Sequence, residues 1–283
     1  MRLGRHEFGG TAVMAIVNRT PDSFFEGART PRDDEAMRAI EAALVAGADV
    51  IDIGGVKAGP GREVTPAEEI DRVGAFVADV RRRFDTAVIS VDTWRAEVGE
   101  VACAAGADLL NDAWGGHDPA LAEVAARYDV GLVCTHAGGL APRTRPHRVG
   151  YEDVMADVLH RTIGLAERAV ALGVDAERIL IDPGHDFGKN TRHSLEVTRR
   201  LGEMVATGWP VLVSLSRKDF IGETLDLPVA ERLPGTLAAT AVCAWLGARV
   251  FRVHDVAATR QVLDMVESIA GERDPAHTIR GLA

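Results

Sequence analysis

The chain has 283 residues, 47% of them hydrophobic and 26% charged, with a formal net charge of -10 at pH 7. This is the composition of an ordinary globular protein, long enough for one large α/β barrel or two modest domains, and the acidic balance excludes non-specific nucleic-acid binding, which depends on basic surface. No apolar run reaches the ~18 residues needed to cross a bilayer and the N-terminal MRLGRHEFGGTAVMAIVN lacks a cleavage-like site, so a cytoplasmic protein without a membrane partner is expected.

Strand-like apolar runs and amphipathic, helix-like stretches then alternate along the chain, with no low-complexity segment or linker to divide it. AVMAIVN, from Ala12, ends in Asn18 and opens into the long loop RTPDSFFEGARTP. DVIDIGG, from Asp49, delivers Asp52 and opens into GGVKAGPGREV, where Lys57 is one of only three lysines, with Lys189 and Lys218, among 32 basic residues. TPAEEIDRVGAFVADVRRRF reads as a helix capped by Thr65, with proline at its first position, acids in the first turn and arginines in the last. AVISVDT, from Ala87, ends in Asp92, and Thr93 is the N-cap expected for the helix TWRAEVGEVACAAGA. DLLNDA, from Asp108, supplies Asn111 and Asp112, and VGLVCTH, from Val130, ends in His136. The helix YEDVMADVLHRTIGLAERAVALG closes on a glycine suited to a left-handed stop. RILIDPG, from Arg178, ends in Asp182; PVLVSLSRK, from Pro210, in Lys218; and RVFRVHD, from Arg249, in Arg252 and His254. Cys103, Cys134 and Cys243 lie widely spaced in apolar segments and read as buried thiols.

Eight β-then-α units predict a (β/α)8 TIM barrel, with a doubly wound sheet as the alternative. In such a barrel the C-terminal ends of the strands carry the active site, and here every strand brings a polar group to that rim. Polar residues also simply begin loops, which accounts for any one of these but poorly for a set of acids, cations and histidines close to buried strands. Asp92, Asn111 and Asp182 offer acceptors and an amide to a flat, nitrogen-rich ring. Lys218, Arg252 and His254 come from the last two strands, where barrels commonly hold phosphate. The long loops after the first and second strands read as lids.

NRTPDSF at 18–24, DIGG at 52–55, SVDT at 90–93, ND at 111–112, DPGHDFGK at 182–189, SRKDFIG at 216–222 and RVHD at 252–255 occur in an order that resembles dihydropteroate synthase, from about Ala12 to Met265. The resemblance implies one pterin-binding barrel domain over 1–283, usually a homodimer, that joins 6-hydroxymethyl-dihydropterin pyrophosphate to p-aminobenzoate. It further implies that Asp92, Asn111, Asp182 and Lys218 hold the pterin, and that Arg252 and His254, helped by Lys57, bind the pyrophosphate. It places Asn18 on a magnesium ion, and gives Asp182, Lys218 and Glu26 the catalytic positions. Pyrophosphate leaves first in the family mechanism, and the p-aminobenzoate nitrogen then attacks the pterin-methylene cation.

The chain also departs from the family. Where the second loop usually reads Gly-Gly-Glu-Ser-Thr-Arg-Pro-Gly, this chain has Val56, Lys57, Ala58 and Gly59 in the four central places. In the first loop Arg19 replaces Val, Phe25 Ser, Glu26 Asp and Ala28 the last Gly, while Phe24 is kept. Asp219 follows SRK, where a second carboxylate some 4 Å from that of p-aminobenzoate would repel it by about 1 to 4 kcal/mol. His185 and Asp186 are expected to add polarity beside the pterin pocket. The pterin and anion residues survive while the elements that receive the second substrate do not, a pattern resembling the divergent paralogue found beside a true synthase in actinobacteria. Open readings are a synthase homologue with weak or no normal activity, a transferase with a different acceptor, and a non-catalytic pterin-binding protein. A methyltetrahydrofolate methyltransferase fits less well, having no need of SRK and RVHD.

Overall fold

Alternating strand and helix patterns produce a parallel barrel in the computed structural model of the chain, which describes residues 1–19, 33–144 and 149–281. The barrel strands are β1 (Ala12–Asn18), β2 (Val50–Gly54), β3 (Val88–Asp92), β4 (Leu109–Asp112), β5 (Gly131–Thr135), β6 (Ile179–Asp182), β7 (Leu212–Val213) and β8 (Val250–Val253). They are hydrogen-bonded in parallel in the order β6-β5-β4-β3-β2-β1-β8-β7, and a single bridge, Ile181 to Val211, joins β6 to β7. All eight strands expected from the sequence are present. The seventh is far shorter than PVLVSLSRK implied, because the chain leaves the ladder after Val213 and Arg217 turns left-handed at φ 54° to pair with Asp255 at 3.0 Å.

Around the strands lie α1 (Asp33–Val45), α2 (Pro66–Arg83), α3 (Ala96–Ala104), α4 (Ala120–Arg127), α5 (Val154–Ala171), α6 (Thr191–Arg199), α7 (Leu201–Val205), α8 (Asp219–Leu225), α9 (Leu233–Trp245) and α10 (Val256–Ala270). The cap on α2 is as read: Thr65 Oγ1 accepts from the Glu68 N–H and Glu68 accepts from the Thr65 N–H, at 3.2 and 3.0 Å. Thr93, in contrast, does not cap α3. That helix starts at Ala96, whose N–H is taken by Asp118 of the loop after β4 at 2.8 Å. The three cysteines are buried and free.

Strand residues alternate between two cores. Outward-facing Val13, Ile51, Ile89, Leu110, Ile181 and Phe251 pack against the helices. Inward-facing Met14, Val50, Val88, Leu109, Leu180 and Val250 plug the barrel bottom, where Leu3 of the N-terminal hairpin (Arg2–Leu3 with His6–Glu7) seals them. No described helix is long and apolar enough to cross a membrane.

Candidate functional site

The plug fixes what lies above it, since two residues further along a strand the side chain again points inward. Val50 is followed by Asp52, Val88 by Ser90 and then Asp92, Leu109 by Asn111, Leu180 by Asp182, Leu212 by Ser214, and Val250 by Arg252. Apart from Ile16, which follows Met14, the second inward layer is therefore polar. Asp52, fully buried, accepts from Ser90 Oγ at 2.6 Å, from Arg252 Nε at 2.6 Å and from Asn111 Nδ2 at 3.3 Å. Arg252 also donates Nη2–H to Asp92 at 2.7 Å. One guanidinium thus bridges two carboxylates in the barrel interior and offsets one of their two charges. Burial pushes Asp92 up to about 7 although Arg252 pulls the other way. Arg252, expected to grip an anion, has two of its nitrogens engaged by these acids before any ligand arrives.

Above this layer a cavity of about 590 Å³ opens at the C-terminal mouth, with Asn18, Lys57, Asp92, Lys218, Arg252 and His254 on its walls. Asn111 and Asp182 do not line it; they lie buried behind the lining, at 3% and 5% exposure. Asp182 Oδ1 accepts from the Gly184 N–H at 2.7 Å, and burial raises its pKa against the opposing charge of Lys218. Burial likewise lowers Lys218, whose Nζ donates to the His185 carbonyl at 2.5 Å and stands 4.8 Å from the Phe187 ring centre. His254 faces Ser216, with Nδ1 and Oγ 2.9 Å apart. Burial brings its pKa down to about 4, with Arg252 adding to the effect, so at neutral pH His254 meets an anion as a neutral hydrogen-bonding group. Glu26 and most of the first loop lie outside the described residues.

The magnesium expectation is corrected. Among the described residues no group of three or more His, Cys, Asp or Glu side chains is gathered to hold a metal ion. Asn18 contributes one neutral oxygen, while the nearest acids of the floor are already committed to Arg252.

The second loop is not the free lid that its glycines implied. Val56, in the place of the usual Glu, is buried with Val64 among Trp94, Trp114 and Ala137, and Trp114 meets Phe187 edge-on at 4.9 Å. Arg143, from the loop after β5, donates to the carbonyls of Gly59 and Arg62 at 3.2 and 2.6 Å. Arg95 donates to the Val64 carbonyl at 2.8 Å while pairing with buried Glu69 at 2.5 Å. Only Lys57 carries a charge from this loop onto the cavity wall.

Two further departures are resolved by packing. Asp219 pairs with Arg232 at 2.9 Å, which offsets the repulsion foreseen for it. His185 does not add polarity to the cavity: its ring stacks on Phe220 at 5.5 Å and Nε2 meets Thr198 Oγ1 at 2.9 Å, inside the helical layer. Asp186 does reach the cavity wall, where its carboxylate accepts from the Asp219 N–H at 2.7 Å and so caps α8. Asp52 closed a strand in the sequence, but its part as the hub of the floor went unread, as did Ser90, Ser214, Ser216 and Lys189. The period-two register from Val50 and Val88 was the signal that could have found Asp52 and Ser90.

Comparison with known proteins agrees with this geometry. A family profile described as pterin binding enzyme matches residues 14–254. The chain is 57% identical over 275 residues to the inactive dihydropteroate synthase 2 of Mycobacterium leprae, covering 96% of this chain and 94% of that one. It is 38% identical to the dihydropteroate synthase of Bacillus subtilis, covering 94% of this chain and 91% of that one. A crystal structure of the Yersinia pestis dihydropteroate synthase with a sulfonamide drug complex superposes with a TM-score of 0.89 at 35% identity, over 95% of this chain and 98% of that one.

Proposed function

The chain belongs to the pterin-binding dihydropteroate synthase family, and from that premise we propose that it binds a pterin-type ligand at the barrel mouth while making dihydropteroate weakly or not at all. In this reading Asp92 and Lys218 meet the ring at the cavity wall, with Asn111 and Asp182 supporting it from behind the lining, and Lys57, Arg252 and His254 face its anionic substituent. Any residual transfer breaks the bond from the pterin methylene to the pyrophosphate oxygen and forms one to the acceptor nitrogen, which sheds its proton. Asp182 then steadies the positive charge on the ring, and the catalytic parts read for Lys218 and Glu26 belong to the same proposal.

The observation that carries the loss of activity is the second loop. It turns Val56 into the Trp94–Trp114 cluster and presents Lys57 as its single charge to the cavity, so the Ser-Thr-Arg set that frames the second substrate in the family has no counterpart. Assaying p-aminobenzoate incorporation beside an ordinary synthase tests this, with calorimetry of the pterin run in parallel. Turnover within about tenfold of the ordinary enzyme, about 1.4 kcal/mol of barrier, overturns the claim of impairment. Absence of pterin binding overturns the ligand assignment. Restoring the loop as V56E/K57S/A58T/G59R is expected to raise turnover.

A different acceptor is the second reading, favoured by Asp186, Asp219 and Glu223 on the cavity wall, which suit a neutral or cationic amine better than a carboxylate. A screen of such amines with the pterin pyrophosphate that yields no product counts against it. Residues 1–283 act in both readings as one domain of a homodimer. Val242 and Trp245 on α9, with Met265 and Ile269 on α10, expose between 48% and 63% of their surface at helical spacing. Light scattering that gives the 30.2 kDa mass of one chain contradicts the dimer.

A further inference from the structure

Lys189 is one of three lysines in the chain, and no role has yet fallen to it. Its side chain is 2% exposed, and Nζ has three partners: His136 Nδ1 at 2.5 Å, the Gly184 carbonyl at 3.1 Å and the Phe187 carbonyl at 3.2 Å. The proton count of this cluster is fixed from its outer end. Asp157 on α5 takes Arg161 Nε–H at 2.8 Å and lies 2.7 Å from His136 Nε2. Although its partial burial works the other way, hydrogen bonds from His136 and Arg161 hold Asp157 below the usual carboxylate range. A carboxylate only accepts, so His136 carries its proton on Nε2. Burial, with the charge of Lys189 added, moves His136 down to about 4 and keeps it from taking a second proton. Nδ1 is therefore a bare acceptor for Lys189 Nζ–H; burial brings Lys189 down to about 7 although the charge of Asp182 pulls the other way, and its protonated form has three N–H bonds for Nδ1 and the two carbonyls.

Those carbonyls belong to a left-handed turn that its two glycines adopt readily and that is disfavoured at Asp186. Gly184, Asp186 and Gly188 all have positive φ, at 62°, 67° and 58°. A Cβ on Gly184 would stand 2.0 Å from the His136 carbonyl oxygen, and one on Gly188 would stand 2.6 Å from that of Ala137, so the turn lies directly on the end of β5. From this turn come the N–H that Asp182 accepts, the carbonyl that receives Lys218, and the Phe187 ring beneath Lys218 and against Trp114. We infer that Lys189, backed by His136 and Asp157, is a positioning residue that holds the 184–188 turn in the shape that presents Asp182, Lys218 and Phe187 to the ligand. The ligand part of this inference rests on the pterin reading above; the effect on the turn does not.

Asp157 offers the clean test, because it lies outside the cavity wall and is partly exposed at the start of α5, whereas K189M removes three core hydrogen bonds and can fail to fold. In D157A, His136 is expected to leave the pure Nε2–H tautomer in its ¹⁵N spectrum. Amides of residues 184–190 should exchange several times faster, and the pterin Kd should rise about fivefold, the equivalent of roughly one hydrogen bond. D157N, whose carboxamide oxygen can still accept from Nε2–H, should recover most of these changes. A D157A protein with the wild-type His136 tautomer and wild-type exchange over 184–190 overturns the inference. If the wild type binds no pterin, the cavity reading falls alone, since the tautomer and the exchange are read without ligand.

Discussion

The floor of the barrel mouth and its second loop lie side by side, yet they are held by different physics. Asp52, Asp92, Ser90, Asn111 and Arg252 form a closed network of charges and hydrogen bonds in which each group satisfies another. The loop from Val56 to Val64 is held by an apolar cluster and by arginines that bind its carbonyls. A buried ionic network tolerates little change because any loss strands a charge, whereas a loop fastened at Val56 and Val64 by apolar contacts and between them through its backbone oxygens can exchange the side chains between those anchors. That difference explains how the site keeps the acids of its floor while the residues of its second loop depart from the family pattern.

The comparison breaks most visibly at Arg252. R252M leaves Asp52 and Asp92 together without their cation and is expected to cost about 3–5 kcal/mol in urea unfolding; a loss below ~1 kcal/mol would place the floor on the same footing as an exposed pair. His254 gives the next largest effect, and its sign follows from linkage. The folded-state pKa of about 4 lies below the ordinary 6.5, so between those values the unfolded chain binds the extra proton and the stability from this group is lost as pH falls from 6.5 toward 4. H254Q should flatten that acid limb by at most about 3 kcal/mol, read from urea midpoints across the range. An unchanged limb contradicts a neutral, buried His254.

On the loop the expected costs are smaller. V56A should destabilise by about 1–2 kcal/mol through the space left against Trp94 and Trp114, and a cost matching that of R252M would erase the contrast. R143A should change global stability by less than about 1 kcal/mol. It should nevertheless speed exchange of the amides around Gly59 and Arg62, because the arginine fastens the loop locally; unaltered exchange there would show that the apolar cluster suffices.

Much of the fold was written in local pattern. Eight apolar runs each ending in a polar residue specified the barrel and its functional rim, because strand period and chain connectivity act over a few residues. The Thr65 cap and the left-handed glycine after α5 were legible for the same reason. Position along the strand also decided that Asn18, Asp92 and Arg252 share one mouth with Lys218 and His254. Partners across the barrel were a different matter. Arg252 binds Asp52 from 200 residues away, Arg143 binds the Gly59 carbonyl, His185 turns to Thr198 and Lys189 finds His136. Sequence motifs held Asp52, His136, His185, Lys189 and Arg252 but not Arg143 or Thr198, and which group would neutralise which is set by packing around a closed ring, where charges and carbonyls from distant segments must be satisfied at once. The sequence by itself therefore determined the barrel and the list of groups at its mouth, and only the tertiary structure decided which remain available to a ligand.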